Sequence, residues 1–152
     1  MDAIIEEVAR APALAWEVIA LRMLGAVIFC GLIGIEREHA KQAAGLRTHI
    51  LVGLAACLYS ILTLDLASRF EGDEAVKMDP LRIVEAVTGG VAFLAAGMIV
   101  FSNGAVRGLT TGAGMWLAAA VGLAVGLGLW GVAAMATVLA VVVMSLLVVQ
   151  RD

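Results

Sequence analysis

From Gly108 to Gln150 the chain contains no Asp, Glu, Lys or Arg. One membrane span takes roughly 20 predominantly apolar residues, so this stretch reads as two spans back to back. A soluble core of that length would need charged residues along its outer side. The remainder agrees: of 152 residues, 62% are hydrophobic and 15% charged, with 17 Gly and only 2 Pro. The sequence therefore predicts an all-α fold, a polytopic membrane bundle of about five transmembrane helices with almost no soluble domain. The apolar runs are continuous and lack the alternation of barrel strands, which argues against a β-barrel.

Along the chain, residues 1–152 read as a single domain. The spans fall at about 16–35, 46–66, 81–101, 109–127 and 129–149. Asp2 to Ala11 reads as a short amphipathic stretch on the membrane surface, ended near Pro12. That start lacks the basic region of a signal peptide, so the N-terminus is expected to be retained. A polar loop runs from Glu36 to Gly45, and Glu71, Gly72, Asp73 and Glu74 form an acidic one. Asp79-Pro80 is a helix-start signal and Ser102-Asn103-Gly104 a turn signal. Gln150, Arg151 and Asp152 make a minimal tail.

The formal charge of -3 argues against a nucleic-acid partner, which would want a basic stripe. Cys30 and Cys57 sit inside apolar runs and read as small buried hydrophobes, not a disulfide framework. Glycines at four-residue spacing, Gly104/Gly108/Gly112 and Gly122/Gly126, let helix backbones approach closely. Ordinary packing is the simpler account of Gly122/Gly126; a self-association face is the alternative. Five spans put the termini on opposite sides. Arg37, Lys41, Arg47, Arg107 and Arg151 then balance Arg10, Arg22, Arg69, Lys77 and Arg82 by count. Arg22 and Arg82 lie within spans, not loops, which tips the orientation toward an outside N-terminus.

An up-down bundle gathers the polar residues at two membrane boundaries. One boundary receives Glu36, Arg37, Arg47, Thr48, His49, Asn103, Arg107, Thr110 and Thr111. There Glu36 can pair with Arg47 or Arg107, as a structural latch, as a binding face for a partner or as the gate of a conduction path. The other boundary collects Arg22, Asp65, Arg69, Arg82 and Glu85. Ionisable residues inside a span are functional candidates by default. Arg22, Asp65 and Glu85 therefore read either as a cation or proton site or as interhelical salt bridges. Near-balanced charge favours the salt bridges, and no metal site is assigned.

Two motifs fail. Glu36-Arg37-Glu38-His39 has the Glu-x-x-His spacing of di-iron bundles, but only one copy is present and it lies in a loop. Ser60, Ser145 and the two cysteines have no base at a readable spacing. Neither an enzyme nor a cofactor is expected.

The ordered motifs resemble a known family. Gly31-Leu32-Ile33-Gly34-Ile35-Glu36-Arg37-Glu38 comes first, then Ala44-Gly45-Leu46-Arg47-Thr48-His49. Asp79-Pro80 with Arg82-Ile83 and Phe93-Leu94-Ala95-Ala96-Gly97 follow. Val106-Arg107-Gly108-Leu109-Thr110-Thr111 with Trp116 completes the set. Over about Val18 to Val149 the chain resembles the MgtC/SapB family. The resemblance implies a bacterial inner-membrane protein of about five spans with a periplasmic N-terminus. It also implies a link to growth at low Mg2+, to acid stress and to virulence through survival inside macrophages. Inhibition of the proton-translocating ATP synthase is the activity the resemblance suggests, making that enzyme a candidate partner beside the lipid bilayer.

Carried over by motif, the candidate positions are Glu36, Arg37, Arg47, Thr48, His49, Asp79, Arg107, Thr110 and Thr111. The chain departs from the family pattern in Thr88-Gly89-Gly90-Val91-Ala92-Phe93-Leu94-Ala95-Ala96-Gly97, usually richer in glycine. Glu85 and Ala86 also stand where a small residue and a Gln are expected. The soluble C-terminal domain of longer members is not expected in this chain. The leading expectation is a regulator that contacts another membrane protein; the runner-up is a homo-oligomeric transporter or channel for Mg2+ or protons. A purely structural membrane protein is the third reading. Small size and glycine-rich helices favour a homodimer.

Overall fold

The computed structural model describes residues 1, 4–5, 11–71, 79, 81–102 and 105–149. Five helices run through it: α1 (Trp16–His39), α2 (Leu46–Arg69), α3 (Leu81–Met98), α4 (Leu109–Gly126) and α5 (Trp130–Val149). The first four are long and apolar enough to cross a membrane, and α5 offers a shorter apolar helix over Trp130–Leu146. Most of the amphipathic stretch at Asp2 to Ala11, the acidic loop beyond Glu71, Asn103-Gly104 and the tail from Gln150 lie outside the described residues.

Local chemistry sets the helix ends. The Glu38 carboxylate, from the last turn of α1, accepts the Leu46 N–H at 2.9 Å and so caps α2. Lys41 turns the chain between them with φ 51°, a left-handed conformation. Asp79 Oδ1 accepts the Leu81 N–H at 2.9 Å, as a helix-start residue should. The α4–α5 corner is a Schellman turn: Gly128 (φ 81°) donates to the Val125 carbonyl at 2.9 Å and Leu129 to the Ala124 carbonyl at 2.8 Å.

Two expectations change in detail. Glu36 to His39, placed in the loop after the first span, form the last turn of α1. The third span, placed at 81–101, stops as a helix at Met98, and a small antiparallel hairpin follows. Its strands, β1 (Val100–Ser102) and β2 (Ala105–Arg107), pair Val100 with Arg107 and Phe101 with Val106. Gly108 (φ 86°) then starts α4 directly beneath the Met98 carbonyl, where a Cβ would have no room. Val100, Phe101 and Val106 are apolar like the span before them, so hydropathy alone does not separate hairpin from helix.

The helix α4 is the axis of the bundle, packed against each of the other four. Its inner positions are small: Gly112, Gly114, Ala118, Ala119, Gly122, Ala124 and Gly126 are buried. On one side they meet Ala26, Cys30 and Ile33 of α1, Cys57 of α2 and Ala133 of α5. On the other they meet Ala56 of α2 with Val87 and Val91 of α3. The large apolar side chains point outward, with Leu24, Ile28, Leu51, Phe93, Val138 and Leu146 all exposed. Small residues inside and large ones outside suit a lipid solvent, in which close backbone approach, not apolar burial, holds helices together. The helix α3 leans on α4 and touches α2 only lightly.

Candidate functional site

Alternating helix directions bring the last turns of α1 and α5 and the first turns of α2 and α4 to one end of the bundle. The buried centre there is Arg37. Its Nε donates to Glu36 Oε2, and its Nη2 donates to the Met144 carbonyl of α5 at 3.3 Å. Glu36 is therefore met by its neighbour Arg37 and not by Arg47 or Arg107. His49, fully buried, places Nδ1 2.9 Å from the Gly45 carbonyl, a partner that requires Nδ1 to donate. Among the described residues its Nε2 is the one buried side-chain nitrogen or oxygen without a hydrogen-bond partner.

The ring lies against Gly114, where a Cβ would come within 3.1 Å of His49 Nε2 and 3.1 Å of the Met144 methyl. Thr111, also buried, donates to Gln42 Oε1 at 3.4 Å and ties the α1–α2 loop to α4. Gln42, Gly114 and Met144 complete this centre, although they carry no charge by which sequence reasoning would select them.

Periodicity explains which candidates face out. Two residues turn a helix by about 200°, so an inward His49 sends Arg47 outward. Arg47, Arg107 and Thr110 are exposed, and Thr48 is half-buried. The outcome is a fixed buried centre with two arginines on the outer surface of the same end. Asp79 stands apart, at the opposite end, where it caps α3.

The opposite end holds the second candidate group, and its members separate. Arg22 Nη1 donates to the Gly126 carbonyl at 2.7 Å, closing the C-terminus of α4. Asp65 accepts the Ala13 N–H at 2.8 Å and Arg69 Nε at 2.7 Å. Glu85 is exposed on α3, because Val87 and Val91 take the inward positions of that helix. Arg22 thus serves the α4–α5 corner, Asp65 holds the segment before α1, and Glu85 points away from both. Among the described residues no three His, Cys, Asp or Glu side chains gather in a metal-binding group.

A five-helix bundle with an apolar exterior and its charged side chains held toward the two ends defines a multi-pass membrane protein. The model of the MgtC family matches residues 23–151. The chain belongs to the MgtC family. It is 40% identical over 101 residues to "Putative magnesium transporter YhiD" of Escherichia coli (strain K12), covering 66% of this chain and 47% of that protein. It is 39% identical over 125 residues to "Protein MgtC" of Brucella abortus (strain 2308), covering 82% and 49%. With "Protein SapB" of Bacillus subtilis (strain 168) it shares 37% identity over 103 residues, 66% of this chain and 44% of that protein. The chain spans about half the length of the curated relatives it matches. None of these three names is that of an enzyme. No solved structure matches it.

Proposed function

We propose that this chain is a regulator of the bacterial inner membrane that acts by contact with another membrane protein, in the setting of Mg2+ limitation, acid stress or intracellular survival. One observation carries the reading: Arg47 and Arg107 are exposed at the end whose buried centre is locked by Glu36, Arg37, His49 and Thr111. A guanidinium at a water boundary is a strong partner for a carboxylate, binding it in a two-pronged fork. The surface therefore suits an acidic patch on another inner-membrane protein, and ATP synthase is the partner placed first. In this reading the N-terminus is periplasmic and the arginine-bearing end cytoplasmic. The working unit is a homo-oligomer, most simply a dimer.

Co-purification from native membranes tests the proposal. Arg47→Ala and Arg107→Ala are expected to release the partner while the bundle stays folded. Retention of every partner by both variants would sink the binding face.

A second reading is a homo-oligomeric transporter or channel for Mg2+ or protons, favoured by the name of the Escherichia coli relative. Against it, three of the described acids that such a path could use are engaged or displaced. Glu36 pairs with Arg37, Asp65 with Arg69, and Glu85 faces outward.

A further inference from the structure

The helices α2 and α3 both pack on α4 but touch each other only lightly, and a groove of about 1140 Å³ lies between them. Its walls are apolar, with Leu51, Tyr59, Leu62 and Leu66 on one side and Phe93 and Leu94 on the other. Gly90 stands in the α3 wall, where a Cβ would meet nothing within 4 Å, so no described side chain fills the space beside it. From Arg82 to Leu94 that wall runs about 18 Å at 1.5 Å per residue. The α2 wall, from Leu51 to Leu66, runs about 22 Å by the same rise, so both walls exceed one leaflet and fall short of a hydrocarbon core roughly 30 Å thick. A spanning helix needs the full thickness, whereas an acyl chain needs one leaflet.

Among the described residues that line the groove, the charged ones are Asp79 and Arg82, at one mouth. Both are exposed, and no ion pair joins them; the pairs among the described residues are Glu36–Arg37 and Asp65–Arg69. Asp79 Oδ1 is taken by the Leu81 N–H, which leaves the carboxylate a second oxygen. A lone arginine would suit any anionic headgroup. An arginine and an aspartate that do not cancel each other suit a headgroup carrying both a phosphate and an ammonium.

We propose that the groove between α2 and α3 holds an aminophospholipid of the phosphatidylethanolamine type, with its phosphate on Arg82, its ammonium on Asp79 and its acyl chains along the apolar walls. This site is separate from the Arg47/Arg107 face and stands whether or not that face binds a partner.

Native mass spectrometry of the full chain released from detergent tests it. The probes are phosphatidylethanolamine, phosphatidylglycerol and phosphatidylcholine with identical acyl chains. Phosphatidylethanolamine is expected to be retained best. Arg82→Gln should weaken its retention roughly tenfold, the factor for one lost charge-assisted hydrogen bond. Asp79→Asn, which still caps α3, should erase the preference over phosphatidylglycerol. Gly90→Leu should weaken all three lipids by filling the groove. Equal retention of the three lipids, unchanged by Arg82→Gln and Asp79→Asn, would overturn the proposal. So would a dimer that Gly90→Leu dissociates, because the groove would then hold a second copy.

Discussion

Gly122 of α4 lies so close to Gly53 of α2 that a Cβ on Gly122 would overlap the Gly53 carbonyl. Cys30 of α1 meets the same crossing, donating from Sγ to the Ala118 carbonyl at 3.3 Å and leaving no room for a Cβ on Gly53. The helices α2 and α4 thus meet there backbone to backbone, with the Cys30 side chain of α1 against the crossing. Gly126 continues the contact against Cys57 and Ser60, and Gly112 packs on Ala95 of α3. These glycines are spent on packing within the bundle.

Gly122→Leu should therefore destabilise the bundle by roughly 1–3 kcal/mol, the usual effect of overpacking. Unfolding in mixed micelles with a denaturing detergent measures it. Gly97→Ala is the control, since its Cβ meets nothing within 4 Å. It should gain up to about 1 kcal/mol from helix propensity. A Gly122→Leu protein as stable as the parent would contradict this account of the crossing.

Arg37 and Arg47 should behave as opposites. The Arg37 side chain is 3% exposed and its Glu36 partner 13%. Arg37→Met leaves Glu36 without its cation and should cost roughly 3–5 kcal/mol. The Glu36→Gln/Arg37→Met double variant should recover part of that loss. Arg47→Met, on the outer surface, should change stability by no more than about 0.5 kcal/mol. Equal losses in the two single variants would show that the buried centre is misassigned.

Arg22 closes the end of α4 through the Gly126 carbonyl. Arg22→Leu should lose about 1.5–3 kcal/mol, the range for a hydrogen bond to a charged donor. Hydrogen exchange should speed first at the Gly128 and Leu129 amides of the adjoining turn. Unchanged exchange there would mean that the turn holds without the arginine.

Much of the architecture is legible in the sequence because lipid asks for little more than length. An apolar run of sufficient length is a helix, and the five expected spans correspond to α1 through α5. The signal at Asp79 also corresponds to a real cap. The hairpin after Met98 was not separable, since Phe101 and Val106 are as apolar as the helix they follow. Sequence spacing places Glu36, Arg37, His49 and Thr111 at one end, but it does not say which side of a helix faces inward. That choice gives Glu36 to Arg37 and turns Arg47 outward. The groove was not legible at all, because it arises from how α2 and α3 each seat on α4 with little contact between them, which no local pattern encodes.

Ion flux into sealed vesicles tests the central claim most directly. Purified chain reconstituted with an internal Mg2+ or proton indicator is expected to give no flux above protein-free vesicles, as a regulator acting by contact should. Flux above that background, abolished by Asp65→Asn or Glu85→Gln, would contradict the account and establish transport in its place.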